Sequence, residues 1–276
     1  MLIAQISDLH IAGWGKKTYG IAPMAENLAR CIDHINRLDP KPDVVTVTGD
    51  ITMSSLKEEA QRAEKILGKL QMPFYIIPGN HDDRSTLWSV FGGQACPSKL
   101  DGFINYVVDD YDVRLIGMDS TVPGGPGGEI CGTRAAWLDK RLAEQKSKPT
   151  VVFMHHPPVK CGVWETDVDG FIGMDRLGDV IEKYANVERL MCGHIHLPAH
   201  VRWRGTVVST APSTGMELML DLTMKRESKF ILEAPGYQLH YWTPQGDLVT
   251  HTVYVRKIDG PYLFEGYPEV DKAISN

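Results

Sequence analysis

No run of basic side chains interrupts the 276 residues: 29 Lys and Arg are outnumbered by 35 Asp and Glu, giving a formal net charge of −6. Proteins that coat nucleic acid gain most of their affinity from Lys and Arg against phosphate, so a nucleic acid polymer is not an expected partner. The five cysteines are odd in number, widely spread and without a C-x-x-C pair. That argues against a disulfide framework or a Cys-based zinc site and fits a reducing, cytoplasmic setting. The opening Met1-Leu2-Ile3-Ala4-Gln5-Ile6 lacks the basic region and cleavage site of a signal peptide. No apolar run approaches the ~20 residues needed to span a bilayer, so no membrane association is expected. What remains is a globular chain with room for one large domain, or a domain and a small appendage.

Short apolar runs alternate with helical patterns through the first two hundred residues. The runs Leu2–Ile6, Val44–Thr48, Phe74–Ile77, Arg114–Met118, Val151–Met154 and Arg189–Cys192 are rich in branched residues and end in polar or Gly/Pro punctuation, which reads as buried strands. Met24, Leu28, Cys31, Ile32, Ile35 and Leu38, spaced by threes and fours, predict a helix over Met24–Asp39. Ser55-x-x-Glu58 has capping-box spacing ahead of a second helix, and Ala135–Gln145 and Arg176–Tyr184 predict two more. Such alternation specifies α/β layers. After about residue 200, five strand-like runs joined by turns predict a second, mostly antiparallel sheet packed on the first, part of it a small cap. The aromatic-bearing tail from Asp259, with Tyr262, Phe264 and Tyr267, is expected to wrap over the body.

The chemistry lies in the residues just past each strand. Asp8-Leu9-His10 comes after the first, Gly49-Asp50 after the second, Pro78-Gly79-Asn80-His81-Asp82 after the third, His155-His156 after the fifth and Gly193-His194-Ile195-His196 after the sixth. Ligands of open α/β sheets bind at the carboxyl ends of strands, so five strands deliver these groups to one end of one sheet. Taken alone, each has a plain reading as a turn or loop residue; five together do not. Asp8, His10, Asp50, Asn80, His155, His194 and His196 form a mixed oxygen and nitrogen set suited to Mn, Fe, Co or Zn. Seven donors are too many for one catalytic metal with an open position, and two divalent ions sharing a carboxylate would use them well. Residues i and i+2 of an extended segment point the same way, so the D-x-H and H-x-H pairs are expected to be extended. Gly49 and Gly193 are expected to let the backbone turn tightly just before a ligand.

Together these five blocks resemble the signature of calcineurin-like metallophosphoesterases, with no ligand position missing. The resemblance spans residues 8 to 196 and implies a four-layer α-β-β-α sandwich with a small C-terminal β cap or extension. Residues 1–210 would carry the core. Residues 211–276 would add second-sheet strands, a cap or self-association element and the tail, as one continuous domain. Asp8, His10 and His196 would hold one metal, Asn80, His155 and His194 the other, and Asp50 would bridge. His81 would sit beside the phosphate as a catalytic group, with Asn80, His194 and Tyr19 as further substrate contacts. His156 is read as structural. Two cations lower the pKa of a coordinated water, so that hydroxide exists near neutrality to attack a phosphodiester. His81 would stabilise the leaving oxygen or protonate it.

The Gly79-Asn80-His81-Asp82-Asp83, Met154–Pro158 and Pro235–His240 stretches look most like bacterial class III cyclic-nucleotide phosphodiesterases and their glycerophosphodiesterase relatives. The protein phosphatases of this superfamily carry G-D-x-V-D-R-G, whose Arg clamps a phosphomonoester. Here Gly49-Asp50-Ile51-Thr52-Met53-Ser54-Ser55 has neither that Arg nor the second Asp, which favours diesters. Met53 stands where purple acid phosphatases place an iron-binding Tyr, so a tyrosinate centre is not expected. Small linear diesters such as glycerophosphodiesters come first and 3',5'- or 2',3'-cyclic nucleotides second, with a phosphomonoesterase and a non-catalytic metal-binding scaffold as minor alternatives. Residues 159–173, bearing Glu165, Asp167 and Asp169, read as an acidic lid. Met216–Lys229 is apolar enough for either a homo-oligomer interface or a plain buried strand.

Overall fold

In a computed structural model, residues 1–93, 95–97, 100–225 and 229–263 are described here, the side chain of Glu165 excepted. Two mixed sheets pack face to face. The first runs in the order Leu248–Tyr254, Gly236–Trp242, Leu2–Ile6, Val44–Thr48 and Phe74–Ile77. The second runs Ala199–Trp203, Thr206–Thr210, Val187–Cys192, Thr150–Phe153, Arg114–Gly117 and Tyr106–Val108. The six strands predicted before residue 200 therefore split three and three between two sheets, which corrects the single sheet expected from the sequence. The C-terminal strands do not build a sheet of their own either. Two extend the first sheet antiparallel beside Leu2–Ile6, and Thr206–Thr210 joins the second, parallel to Val187–Cys192.

Right-handed crossovers place the helices on the outer faces. Met24–Asn36, Lys57–Leu67 and Arg84–Phe91 pack side by side, as do Gly132–Glu144 and Met174–Ile181. The predicted stripe on the first helix is the buried one, with Met24, Leu28, Cys31, Ile32 and Ile35 inside. Covered on both faces, Val44–Thr48 is buried at every position, as a central parallel strand should be. The polar residues at the sheet interface are paired. Gln5 Nε2 donates to Thr48 Oγ1 and to the Cys192 carbonyl, each at 2.9 Å, linking the sheets. The cap of the second helix lies one residue later than the spacing suggested. Leu56 is the N-cap, and Glu59 accepts from the backbone N–H of Ser54 and Leu56.

The predicted strand Met216–Leu222 ends at Leu218 and pairs antiparallel with Phe230–Leu232 as a separate two-stranded ribbon. Met219, Leu220 and Leu222 beyond it are exposed, so the buried-strand reading of this segment fails. Residues 159–173 contain the short helix Trp164–Asp169 and a two-residue strand, Phe171–Ile172, paired with Gly128–Glu129. In the tail Tyr262 is exposed, and Phe264 and Tyr267 lie outside the described residues. All five cysteines are free thiols.

Candidate metal centre

The donors converge from the strand ends of both sheets. Asp8 and His10 follow Leu2–Ile6, Asp50 follows Val44–Thr48, and Asn80 and His81 follow Phe74–Ile77, all on the first sheet. His155 follows Thr150–Phe153, and His194 and His196 follow Val187–Cys192, on the second. The segments are not extended, as the i, i+2 spacing suggested. Asp8, His10, Asp50, His194 and His196 all have positive φ, between 42° and 73°. Such backbone is costly for non-glycine residues and persists where surrounding structure imposes it, commonly at functional sites. Here every turn must swing its side chain back over the strand end, into one cleft. Gly49 and Gly193 permit this in different ways. Gly49 has φ +88° and a Cβ there would lie 2.5 Å from His155 Nδ1. A Cβ on Gly193 would overlap Ser7 Oγ and come within 2.8 Å of Asp8 Oδ2.

Two donor clusters result. Asp8, His10, Asp50 and His196 offer ligand atoms within 4.8 Å of one another, and so do His155, His156 and His194. His10 Nε2 and His196 Nε2 lie 3.0 Å apart. Asp50 Oδ2 stands 3.4 Å from both His10 Nε2 and His155 Nε2, between the clusters. Asn80 Oδ1 is 3.1 Å from His155 Nε2 and from His194 Nδ1. Outer contacts fix the rings. His155 Nδ1 donates to the Thr48 carbonyl at 2.8 Å and His196 Nδ1 to the Met216 carbonyl at 2.6 Å. Each then turns Nε2 inward, toward other acceptors, the outer-contact pattern that orients metal-binding imidazoles. Acceptor atoms facing one another in a buried space need a cation among them.

The electrostatics agree. Burial disfavours an imidazolium at His155, yet the Asp50 carboxylate overrides it and raises the pKa to about 9. Burial holds His10 well below its ordinary value and, with the neighbouring His155, brings His194 to about 3. Asp50 itself stays far below the usual carboxylate range despite burial, because His155 and His10 favour its charged form. The residues present thus fit a pair of divalent metals, and the two clusters form a dimetal site.

His156 lies among the second cluster, with its ring centroid 4.6 Å from that of His194. Both its nitrogens are engaged elsewhere, Nδ1 with Ser120 Oγ at 2.8 Å and Nε2 with the Pro126 carbonyl at 3.1 Å. That geometry supports its structural reading. His81 Nδ1 donates to the Met53 carbonyl at 2.9 Å and its ring lies edge-on to His10, 4.7 Å between centroids.

Over the site opens a cleft of about 400 Å³. It is lined by the predicted His10, Tyr19, Asp50, Asn80, His81, His194 and His196, and by Pro126, Thr166, Asp169, Met216, Leu218, Lys229 and Phe230, which sequence reasoning did not name as site residues. Tyr19 stacks on Phe230, with centroids 5.5 Å apart. No arginine is among the described residues that line the cleft. Of the predicted acidic lid, Asp169 lines the cleft, whereas the Asp167 carboxylate accepts from the backbone N–H of Cys161 and Gly162. The side chain of Glu165 lies outside the described residues. A larger cavity of about 540 Å³, between Glu64 and Ala95, holds none of the donors and is not the site.

Paired donor clusters sharing a carboxylate, at the strand ends of a helix-flanked sandwich, define a dinuclear metallohydrolase. The family model of calcineurin-like phosphoesterases matches residues 1–198, and the chain belongs to that family. A probable glycerophosphodiester phosphodiesterase, GpdQ, of Arcobacter nitrofigilis is 40% identical over 270 residues, covering 96% of this chain and 97% of its own. The 3',5'-cyclic adenosine monophosphate phosphodiesterase CpdA of Escherichia coli K12 is 25% identical over 96% of this chain and 94% of its own. A dimetal phosphatase from Danio rerio superposes with a TM-score of 0.66 at 14% identity, covering 93% of this chain and 99% of its own, and shares the fold.

Proposed function

We propose that the chain is a metal-dependent phosphodiesterase acting on glycerophosphodiesters. The observation that carries the reading is the complete dimetal site beneath a cleft without an arginine, supported by 40% identity to a relative named for that activity. Asp8, His10 and His196 would hold one ion, Asn80, His155 and His194 the other, with Asp50 between them. The mixed N/O set suits Mn, Fe, Co or Zn. Two bound divalent ions supply charge neutralisation at the phosphate and acidify water. The chain supplies the rest. Asn80 and His194 border the phosphate position, and Tyr19 with Phe230 walls one side of it. His81, its Nδ1 proton committed to Met53, presents Nε2 to the cleft and can hold or deliver a proton at the leaving alkoxide.

Release of glycerol 3-phosphate from a glycerophosphodiester, measured beside hydrolysis of 3',5'-cyclic AMP, tests the reading. Preferential cleavage of the linear diester supports it, and preferential cleavage of the cyclic one transfers the chain to the second reading, which the similarity to CpdA favours. No helix among the described residues is long and apolar enough to cross a membrane. We also propose a cytoplasmic home, supported by five free thiols, and self-association through the 216–232 ribbon, where Leu220 is 59% and Leu222 68% exposed. Size-exclusion with light scattering would show a monomer if that second proposal is wrong.

A further inference from the structure

Beside the cleft lies a smaller, more enclosed chamber of about 110 Å³. Thr166 and His194 line both spaces and form their common wall. Away from that wall the chamber is lined by Pro157, Val159, Phe171 and Met174. Its polar neighbours are already engaged. Asp167 accepts from Cys161 and Gly162 at 2.7 and 3.0 Å, and both nitrogens of His156 hold partners. Lys160, the other charged residue at its lining, is exposed to solvent. A recess with no buried polar group to offer takes apolar atoms, since a polar substituent would lose its water without replacement.

The position of the chamber matters as much as its lining. His194 is a donor of the second cluster, so the shared wall stands immediately beside the place where the phosphate must sit. We infer that the chamber receives the alkyl part of one alcohol of the substrate, past Thr166, while the other alcohol lies along the Tyr19–Phe230 wall. This inference rests on the phosphodiesterase reading and narrows it. An apolar cavity of ~150 Å³ holds a benzene ring. The smaller volume here holds a chain of about three or four carbons and excludes a nucleoside. A cyclic 3',5'-diester ties both ester oxygens into one ring and has no free alkyl arm to insert. The chamber therefore selects linear diesters with one short alkyl alcohol.

Calorimetric titration of the metal-loaded protein with O-alkyl methylphosphonates, from methyl to hexyl, tests this without turnover. Affinity should rise about fourfold per methylene, the equivalent of ~0.8 kcal/mol per buried CH₂, up to propyl or butyl, and fall at hexyl. Val159→Phe, which fills the chamber, should flatten the series. Met174→Ala, which enlarges it, should carry the rise on to hexyl. The methyl member should bind all three proteins alike. An affinity independent of chain length in the wild type, or an unchanged series in Val159→Phe, would overturn the inference while leaving the phosphodiesterase reading intact. Failure of even the methyl analogue to bind would instead remove that underlying reading, and the inference with it.

Discussion

Gly193→Ala perturbs the metal centre without removing a donor. The added methyl would overlap Ser7 Oγ and approach Asp8 Oδ2 to 2.8 Å and the Thr48 carbonyl to 2.9 Å. Ordinary carbon contacts lie near 3.5–4.0 Å, so one or more of these groups must move by the order of 1 Å. Ser7 cannot easily yield, because it is fully buried and its hydroxyl donates to the same Thr48 carbonyl at 3.2 Å. Overpacking of this kind costs about 1–3 kcal/mol of stability. A 1 Å misplacement in an active site costs about 100-fold in rate, which is ~2.7 kcal/mol of transition-state stabilisation. Urea denaturation, metal content by elemental analysis and kcat on an activated diester would be measured together. We expect a folded protein with depleted metal and about 100-fold lower kcat. Ser7→Ala added to Gly193→Ala should recover part of the loss, since it removes the worst overlap. Wild-type metal content and turnover in the single variant would show that close approach at Gly193 does not hold Asp8 in place.

His81→Ala should keep its metal and lose about 10²–10⁴-fold in turnover, the range for a general acid; loss of metal would make His81 a ligand instead. His240, buried between Gln5 Oε1 at 3.0 Å and Thr250 Oγ1 at 2.8 Å, has a pKa brought to about 3 by burial first and then by Arg189 and His200. Because the folded value is depressed, the unfolded chain takes up a proton below pH 6.5 that the folded one refuses. The contribution of His240 is complete above that pH and is lost as pH falls toward 3, at ~1.4 kcal/mol per unit, or roughly 2 kcal/mol by pH 5. Urea titrations of His240→Gln should therefore show a shallower acid limb, and an identical limb would refute the assignment. Removal of metal by a chelator should abolish diester cleavage, and readdition should restore it; persistent activity in metal-free protein would exclude a metal role.

Much of the site was legible because its chemistry is local. Asp8-x-His10, Gly49-Asp50, Asn80-His81, His155 and His194-x-His196 each come directly after a recognisable strand, and polar groups at strand ends announce a ligand site without any knowledge of pairing. The division into two sheets was not legible. Leu2–Ile6 pairs with Gly236–Trp242 across more than two hundred residues, and such pairing is decided by packing that strand periodicity does not encode. Nor did spacing reveal the left-handed backbone at five donors, because tertiary contacts impose it on residues whose own preference opposes it. Phe230 and Thr166 escaped notice for a related reason. An aromatic in a ribbon and a threonine in a short helix carry no chemical signature until the fold sets them over the metals.

A two-metal diesterase is best probed by hydrolysis of bis(p-nitrophenyl) phosphate against p-nitrophenyl phosphate, with metal-stripped protein refilled with Mn, Co or Zn. We expect metal-dependent cleavage that strongly prefers the diester. A preference for the monoester, or no cleavage by protein shown to carry metal, would contradict the two-metal diesterase reading.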